Sequence, residues 1–241
     1  MTVRKPNSQG GFTLVELAVV LLIIGLIVGG ILRGQELISS AQINAVQTDA
    51  NQIRTGVNTF QDKFVALPGD MSNPGDLINT DLSFSNTGNG DGRLDGDRTS
   101  SGSEAVQAWV HLGAAGLLGK VDANNLNGST LSAANGAFEG SVGGFYSIGN
   151  GVTSSNSNFN QLSDADIWLV LGASGSGNSG SINDSAIVQA DQAAQLDRKV
   201  DDGDPRNGRV RGDTNNCTST PSSGDDIYDV DGGSCALALE L

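Results

Sequence analysis

The chain begins with a short polar stretch that is followed at once by an almost wholly apolar one. Residues 1–11 are polar and include Arg4 and Lys5, whereas the stretch from Phe12 to Leu32 contains a single charged side chain, Glu16. As a helix this stretch reaches about 30 Å, which is the thickness of the hydrocarbon core of a bilayer. The pattern therefore predicts one membrane-spanning helix, and the preceding positive charge predicts a cytoplasmic N-terminus.

After Arg33 the pattern becomes amphipathic. Apolar side chains recur every three or four residues, which places them on one face of a helix. They are Ile38, Ala41, Ala45 or Val46, Ala50, Ile53, Val57, Phe60 and Phe64. No proline interrupts residues 12–67, and Pro68-Gly69 is expected to end the helix. We predict one helix of about 50 residues whose second half packs on a sheet; a coiled coil is disfavoured because the heptad repeat is not sustained.

The rest of the chain predicts a loop-rich head. Residues 65–102 are rich in Gly, Asn, Asp and Pro and predict a long loop. Two further helices are expected, one from Ser103 as its cap to Leu118 with Gly119 as its stop, and one from Ala186 to Val200. Short strands are predicted at Gly144–Ile148, Ile167–Leu171, Asp226–Val230 and Cys235–Leu239. The expected class is α+β, with a long N-terminal spine helix on an antiparallel sheet.

Composition and charge narrow the function. The formal charge of −14 argues against nucleic acid as the main partner, because phosphate contacts need a basic face. The overall acidic charge is still compatible with a small local basic patch at Arg206, Arg209 and Arg211. The 34 glycines and an apolar content of 37% predict a modest core in an ordered, loop-rich domain.

Two cysteines, Cys217 and Cys235, lie close together near the C-terminus. In an exported domain such a pair predicts a disulfide that closes a short loop, which stabilises by about 3 kcal/mol in the chain-entropy model. The alternative is two unpaired buried thiols.

The carboxylate of Glu16 needs an explanation, because an ionised group within hydrocarbon costs several kcal/mol and is usually functional. An ordinary signal peptide would have a small-residue cleavage site after the apolar run, and this chain has a Gly-Gly before the run instead. Cleavage between Gly11 and Phe12 would create an ammonium group at Phe12. That group would give Glu16 a charge partner, on the same chain or on a neighbour; a snorkelling glutamate at the membrane edge is the simpler alternative.

The segment Gly11 to Leu17, GFTLVEL, resembles the prepilin peptidase site of type IV pilins and type II secretion pseudopilins, and the resemblance covers about residues 6–64. It implies that an inner-membrane peptidase cuts after Gly11 and N-methylates Phe12. It also implies that Glu16 guides docking by pairing with the Phe12 ammonium of a neighbouring subunit. Many members carry a proline near the position of Arg33, so the associated kink is either absent here or produced by glycines.

This resemblance predicts four parts of the chain: a leader at 1–11, a transmembrane and filament-core segment at 12–33, an amphipathic segment at 34–66 and a head at 67–241. Two small-xxx-small pairs suit close helix packing, although glycine is also simply common in membrane helices. They are Gly25 with Gly29 and Gly30 with Gly34. The expected course is insertion in the bacterial inner membrane with a periplasmic head, followed by extraction into an extracytoplasmic filament by an assembly ATPase and a platform protein.

One loop alternates oxygen ligands with glycines as an EF-hand does, and it is a candidate for structural Ca²⁺. The expected ligands are Asn89, Asp91, Asp95, Asp97 and Glu104, while Arg98 occupies the place of the usual bidentate glutamate. A plain Asp/Gly turn cluster is the alternative. Two further acidic groups are present in the head. Asp201-Asp202-Gly203-Asp204 is expected to form turns and salt bridges, and a second Ca²⁺ candidate consists of Asp225, Asp226, Asp229 and Asp231.

No catalytic residue is predicted. His111 is the only histidine, and neither cysteine has the spacing of a zinc site. The chain is expected to be a non-enzymatic structural subunit of a type IV pilus or a type II secretion-like filament that requires no cofactor. Its partners would be prepilin peptidase, identical or related subunits, the assembly platform and, before assembly, lipid. The alternative is a membrane-tethered, calcium-dependent adhesion module that does not polymerise.

Overall fold

The computed structural model describes residues 13–78, 81–85, 88–150, 162, 165–172, 187–213, 217–218, 228 and 233–241. The chain divides into two compact units, Met1–Ala41 and Gln42–Leu241, and each is described by itself. Helix α1 (Leu14–Phe64) contributes its first part to one unit and its second part to the other.

In the first unit, α1 exposes its whole apolar surface. Every Leu, Ile and Val side chain from Leu14 to Ile38 is exposed to solvent. Among the described residues, α1 is the one helix that is long and apolar enough to cross a membrane. None of the residues in its most apolar stretch is buried. A helix that is apolar all round requires either lipid or protein as its surroundings.

In the second unit, α1 buries most of the apolar face that its amphipathic sequence predicts. Ile53 and Phe60 are fully buried, and the other members of this face are nearly so. These are Ile43, Val46, Ala50 and Val57. The prediction was wrong at Ile38, whose side chain is 62% exposed, and at Ala41, which is also exposed. Periodicity identifies a face of a helix, but it does not say where along the helix that face begins to be covered.

The helix ends slightly before its predicted stop. Val65 follows Phe64 with φ of 54°, and its N–H donates to the carbonyl of Gln61 at 2.8 Å. A left-handed residue at this position terminates helices, and it is usually a glycine because a branched side chain is strained there. The chain therefore leaves the helix three residues before Pro68, where the sequence pattern had placed the end.

The head contains a four-stranded antiparallel sheet whose strands lie in the order β1-β2-β6-β4. Strand β1 (Phe145–Asn150) pairs with β2 (Ile167–Gly172), which also pairs with β6 (Leu237–Glu240); β6 in turn pairs with β4 (Val210–Gly212). A two-stranded sheet joins β3 (Val188–Gln189) to β5 (Ser234–Cys235). The predicted α+β architecture of a long helix with an antiparallel sheet is confirmed.

Two strand predictions need correction or fall outside the described residues. The expected strand Cys235–Leu239 is wrong as a single element, because the chain changes sheet at Ala236, so that Cys235 belongs to β5 and Leu237 begins β6. Of the expected strand Asp226–Val230, only Tyr228 lies within the described residues, where it forms an isolated bridge with Thr218. Strands β3 and β4 were not predicted because they are only two and three residues long.

Helix α3 (Glu104–Ala114) is capped as predicted but ends earlier. The Val106 N–H donates to Ser103 Oγ at 3.2 Å, which is the expected N-cap. Gly116, with φ of 71°, ends the helix, and the Leu117 N–H donates back to the Leu112 carbonyl at 3.0 Å. This arrangement is a Schellman motif, so the prediction that the helix continues to Leu118 was wrong.

The remaining helices are short or close to their predictions. Helix α5 (Ala190–Val200) begins four residues after the predicted start, because β3 occupies the preceding positions. Helices α2 (Pro74–Leu77) and α4 (Ala123–Leu126) each form one turn, and a 3₁₀ turn spans Ala133–Asn135. The predicted long loop before α3 is otherwise free of helices and strands in its described part.

The main core lies between α1, α3 and the sheet, and it is built around aromatic side chains. Trp109, Phe138 and Tyr146 are fully buried, and their rings pack in series with centroid separations of 6.1 Å and 5.8 Å. A smaller cluster buries Trp168 together with Leu162, Val170, Ala236 and Ala238. The disulfide between Cys217 and Cys235 is present and buried, with a Cα–Cα separation of 5.2 Å.

Candidate functional site

The N-terminal end of α1 holds the carboxylate that the sequence identifies. Glu16 lies in the first turn of the helix, and Thr13 precedes the helix as its N-cap. Thr13 donates to Glu16 Oε2 twice, from its backbone N–H and from its hydroxyl, at 2.9 Å each. The Glu16 N–H donates in return to Thr13 Oγ1 at 3.3 Å. Gly11 and Phe12 lie outside the described residues.

This reciprocal arrangement is a capping box, which satisfies backbone donors that a helix N-terminus leaves unpaired. Thr13 was not predicted as a site residue, although the spacing Thr-x-x-Glu is the sequence signal for such a box. Among the described residues, Glu16 Oε1 accepts no hydrogen bond, so one carboxylate oxygen can still receive an amine. The capping box therefore anchors Glu16 at one oxygen and presents the other.

The glycines of the apolar part of α1 border open space. A Cβ built at Gly25, Gly29, Gly30 or Gly34 would meet no atom within 4 Å. Their role in helix packing stays a prediction.

A family model described as the prokaryotic N-terminal methylation motif matches residues 6–32 of this chain. This is the type IV pilin and pseudopilin signature. No curated protein and no solved structure matches the chain. The pilin signature thus covers residues 6–32, while the head is characterised by its own structure alone.

Over residues 6–32 the chain is similar to type IV pilin-like precursors, and this motif indicates a structural subunit. It implies processing by prepilin peptidase and assembly with other pilin subunits. Together with the apolar first part of α1, it agrees with anchoring in a membrane.

In the head, the structure brings four of the five predicted calcium ligands together. The Glu104 carboxylate accepts the N–H groups of Asn89 and Asp95, at 3.0 Å and 2.7 Å. The Asn89 amide donates to Asp91 Oδ2 at 3.0 Å. Asp97 has a different partner, because its Oδ1 accepts the N–H and the hydroxyl of Thr99.

Asp70 is the residue of this loop that the ligand prediction missed. It is buried, and its two carboxylate oxygens accept the N–H groups of Gly90, Asp91 and Gly92 at 2.6 Å, 3.2 Å and 2.7 Å. Sequence reasoning missed Asp70 because it lies in a different stretch of the chain from the N–H groups that it binds. Because Asp70 and Glu104 bind five backbone N–H groups of the loop, hydrogen bonds account for its shape.

Arg98, which occupies the place of the bidentate glutamate of an EF-hand, has a structural role instead. Its side chain is buried, and the guanidinium donates to the carbonyls of Trp168, Gly149 and Asn150 at 2.7 Å, 3.0 Å and 2.7 Å. Burial lowers the pKa of Arg98 to about 10, so it stays protonated at neutral pH. Arg98 therefore ties the loop to β1 and β2 and does not face the cluster around Asn89.

Calcium at this loop stays a prediction, and the oxygens of Asn89, Asp91 and Asp95 are the ligands that would test it. We expect 5 mM Ca²⁺ to raise the melting temperature of the full chain in detergent relative to EDTA, because a ligand that binds only the folded state stabilises it. The double variant Asp91→Asn, Asp95→Asn keeps similar shapes and should lose the shift, with Asp122→Asn as the matched control. Either no shift in the wild type or an unchanged shift in the double variant would rule the loop out.

The other candidate groups of the head are structural in the described residues. His111 is fully buried, and its Nδ1 accepts the N–H of Gly69 at 2.9 Å. Burial lowers the pKa of His111 to about 4, so it is neutral at pH 7. The acidic segment at 201–204 forms turns as expected: Asp204 Oδ1 accepts the Arg206 N–H at 2.9 Å, and Asp201 Oδ2 accepts the Arg209 N–H. The candidate group Asp225, Asp226, Asp229 and Asp231 lies outside the described residues.

Proposed function

We propose that this chain is a structural subunit, a pilin or pseudopilin, of a type IV pilus or type II secretion-like filament. Prepilin peptidase cuts it after Gly11, and the mature chain waits in the bacterial inner membrane with its head outside. The observation that carries the proposal is the pilin signature at residues 6–32, which overlaps the part of α1 whose Leu, Ile and Val side chains are all exposed.

In the proposed assembly step, this helix moves from lipid into a bundle of like helices. In a membrane, the apolar side chains from Leu14 to Ile38 contact lipid; in a filament, they contact the same segment of neighbouring subunits. Burial of apolar surface alone does not favour one state over the other, because lipid tails are also apolar. A specific polar contact is therefore needed to set the register of docking, and Glu16 is the only charged group available from Phe12 to Leu32.

The capping box supports this role for Glu16. Thr13 holds Oε2 at the helix end, where the exposed N–H groups of the first turn favour a negative charge. The incoming Phe12 ammonium of a neighbour would meet Oε1. Pairing neutralises a charge that hydrocarbon would otherwise penalise by several kcal/mol.

Processing gives a direct test of the proposal. We expect co-expression with a prepilin peptidase to shorten the chain by its eleven-residue leader, and Gly11→Val to block the shortening while the protein stays in the membrane fraction. Gly10→Val is the matched control, because it makes the same change one position earlier and keeps Gly11 at the proposed cleavage site. Equal shortening of the Gly11→Val chain would contradict the proposal.

Filament imaging on cells and the secretome of a deletion strain separate the two versions of the proposal. Loss of surface filaments indicates a pilus subunit, whereas loss of secreted proteins with surface filaments intact indicates a pseudopilin. A processed chain that enters neither structure would favour the membrane-tethered adhesion module instead.

A further inference from the structure

Some asparagines of this chain are directly followed by a glycine, and the side-chain amide is easily lost from such a pair. They are Asn89, Asn127, Asn135, Asn150 and Asn207. The nitrogen of the glycine attacks Cγ of the asparagine and expels ammonia, which forms a five-membered cyclic imide. Water then opens the ring on either side and leaves aspartate or isoaspartate. Because glycine has no side chain to hinder the attack, the fold decides which pair reacts.

The reaction needs a glycine N–H that is free to lose its proton and a side-chain amide that can turn towards it. At Asn89 neither condition is met. The Gly90 N–H donates to the carbonyl and to Oδ1 of Asp70, at 3.0 Å and 2.6 Å. Asn89 Oδ1 accepts the Asp91 N–H at 2.9 Å. These hydrogen bonds hold both reacting groups of the pair in place.

At Asn127 the side-chain amide is held at both ends. Its Oδ1 accepts the Ser85 N–H at 2.9 Å, and its Nδ2 donates to the Ser83 carbonyl at 2.6 Å. Rotation of the amide towards Gly128 would break both hydrogen bonds, each of which stabilises the folded state. The fold therefore slows the reaction at this pair.

Regular backbone structure protects Asn135 and Asn150. Asn135 ends the 3₁₀ turn, and its Nδ2 donates to the Thr130 carbonyl at 2.9 Å. Asn150 is the last residue of β1, and its Oδ1 accepts the Leu94 N–H at 2.6 Å. The Asn150 carbonyl also accepts from the buried guanidinium of Arg98 at 2.7 Å. Both asparagines therefore need a local opening of the fold before they can react.

Asn207 differs from the other four asparagines. It is exposed, in the turn between α5 and β4. Within the part of the chain that the structure describes, the Gly208 N–H donates no hydrogen bond and Asn207 Oδ1 accepts none. The side chain has one restraint, because its Nδ2 donates to Asp204 Oδ2 at 2.6 Å. Both conditions for the attack are thus best met here.

The fold also requires the glycine that makes Asn207 reactive. Gly208 has a φ of 75°, which a residue with a side chain rarely adopts. A Cβ at this position would collide with the carboxylate of Asp201, which accepts the N–H of Arg209. The turn therefore keeps a reactive pair because no other residue fits its conformation.

We propose that Asn207 is a site of spontaneous deamidation in the folded head and that the new charge loosens the turn at 201–209. The product replaces an amide that donates to Asp204 by a carboxylate that repels it. The proposal rests on the chemistry of this turn, and it holds whether or not the chain assembles into a filament. In an exported protein it makes the charge of the head increase with age.

The turn is attached to the sheet by two backbone hydrogen bonds, through which its loosening would reach the strands. The Gly212 N–H of β4 donates to the Pro205 carbonyl at 2.9 Å, and the Glu240 N–H of β6 donates to the Arg209 carbonyl at 2.8 Å. Isoaspartate at 207 also lengthens the backbone between these two attachments. The exchange rate of the Gly212 N–H therefore reports on the turn.

The first test follows the five asparagines over time by peptide mass spectrometry. The full chain is kept folded in detergent at pH 8 and 37 °C with EDTA, and a second sample is unfolded in urea. We expect residue 207 to convert roughly tenfold faster than any of the other four in the folded sample, because those must first open locally. In urea the five rates should converge. Faster conversion at another of the five, or equal slowing of Asn207 and Asn127 by folding, would overturn the proposal.

The second test examines the effect of the new charge. Asn207→Asp adds the carboxylate with a normal backbone, and Asn207→Ser keeps a neutral hydrogen-bond donor as the matched control. We expect hydrogen exchange at the Gly212 N–H to be about fivefold faster in Asn207→Asp than in Asn207→Ser. Equal exchange in the two variants would show that the charge does not loosen the turn.

Discussion

Replacing Glu16 by valine should abolish filament assembly while the protein remains in the membrane. The substitution removes the single charge within residues 12–32, which increases compatibility with lipid and would remove the proposed partner of the Phe12 ammonium. Breaking a desolvated ion pair costs about 3 kcal/mol or more, which corresponds to a loss of more than about a hundredfold in the affinity between subunits. The measurement is the amount of this protein in sheared filaments relative to the membrane fraction.

Glu36→Ala is the matched control for this experiment. Glu36 lies on the same helix, is 70% exposed, and forms an ion pair with Arg33 at 3.0 Å within one turn. Exposed pairs of this kind contribute little, so the variant should assemble at the wild-type level. Normal incorporation of Glu16→Val into filaments would refute the role given to this carboxylate, and equal loss in both variants would indicate a general effect of charge on the helix.

A clear loss of stability in the head is expected from Asp49→Ala. Asp49 lies on the buried side of α1 and is only 2% exposed. Its oxygens accept from Lys120 Nζ at 3.1 Å, the Ser141 N–H at 2.7 Å and the Ser141 hydroxyl at 2.9 Å. Removing the carboxylate leaves the Lys120 ammonium, whose side chain is 44% exposed, without its ion pair and leaves the Ser141 N–H without its acceptor. This should lower the free energy of unfolding by about 2 kcal/mol.

Asp62→Ala gives the comparison for Asp49, because Asp62 is an exposed carboxylate on the same helix. Its effect should stay within about 0.5 kcal/mol. Chemical unfolding of the full chain in detergent measures both variants. A similar small change in the two would show that the contacts of Asp49 do not connect α1 to the head in the way described.

The spine helix was predictable because its signals are local. An apolar run of bilayer length and a three-to-four residue periodicity need no knowledge of the rest of the fold, and both the helix and its buried residues Val46, Ile53 and Phe60 followed from them. Glu16 was identified for the same reason, since a lone carboxylate within an apolar run is rare whatever surrounds it. Thr13 also has a local signal, the spacing of a capping box, that a closer reading of the same residues would have found.

The polar contacts of the head could not be predicted because they join positions far apart in the sequence. Asp49 is a polar residue of α1 with no local signal for its contacts, because its partners Lys120 and Ser141 follow it by 71 and 92 positions. In the sequence, Arg98 is only a mismatch to the EF-hand pattern, at the place of the bidentate glutamate. In the structure, it donates hydrogen bonds to carbonyls of β1 and β2. Such roles depend on which segments the fold brings together, and side-chain type alone does not carry that information.

The central claim is that a processed N-terminus places an ammonium group where Glu16 can pair with it. The most direct measurement is the intact mass of the N-terminal peptide from filaments sheared off the cell surface. We expect a peptide that begins at Phe12 with one added methyl group on its amine. A filament subunit that still carries residues 1–11, or a chain found only in membranes with Met1 in place, would contradict it.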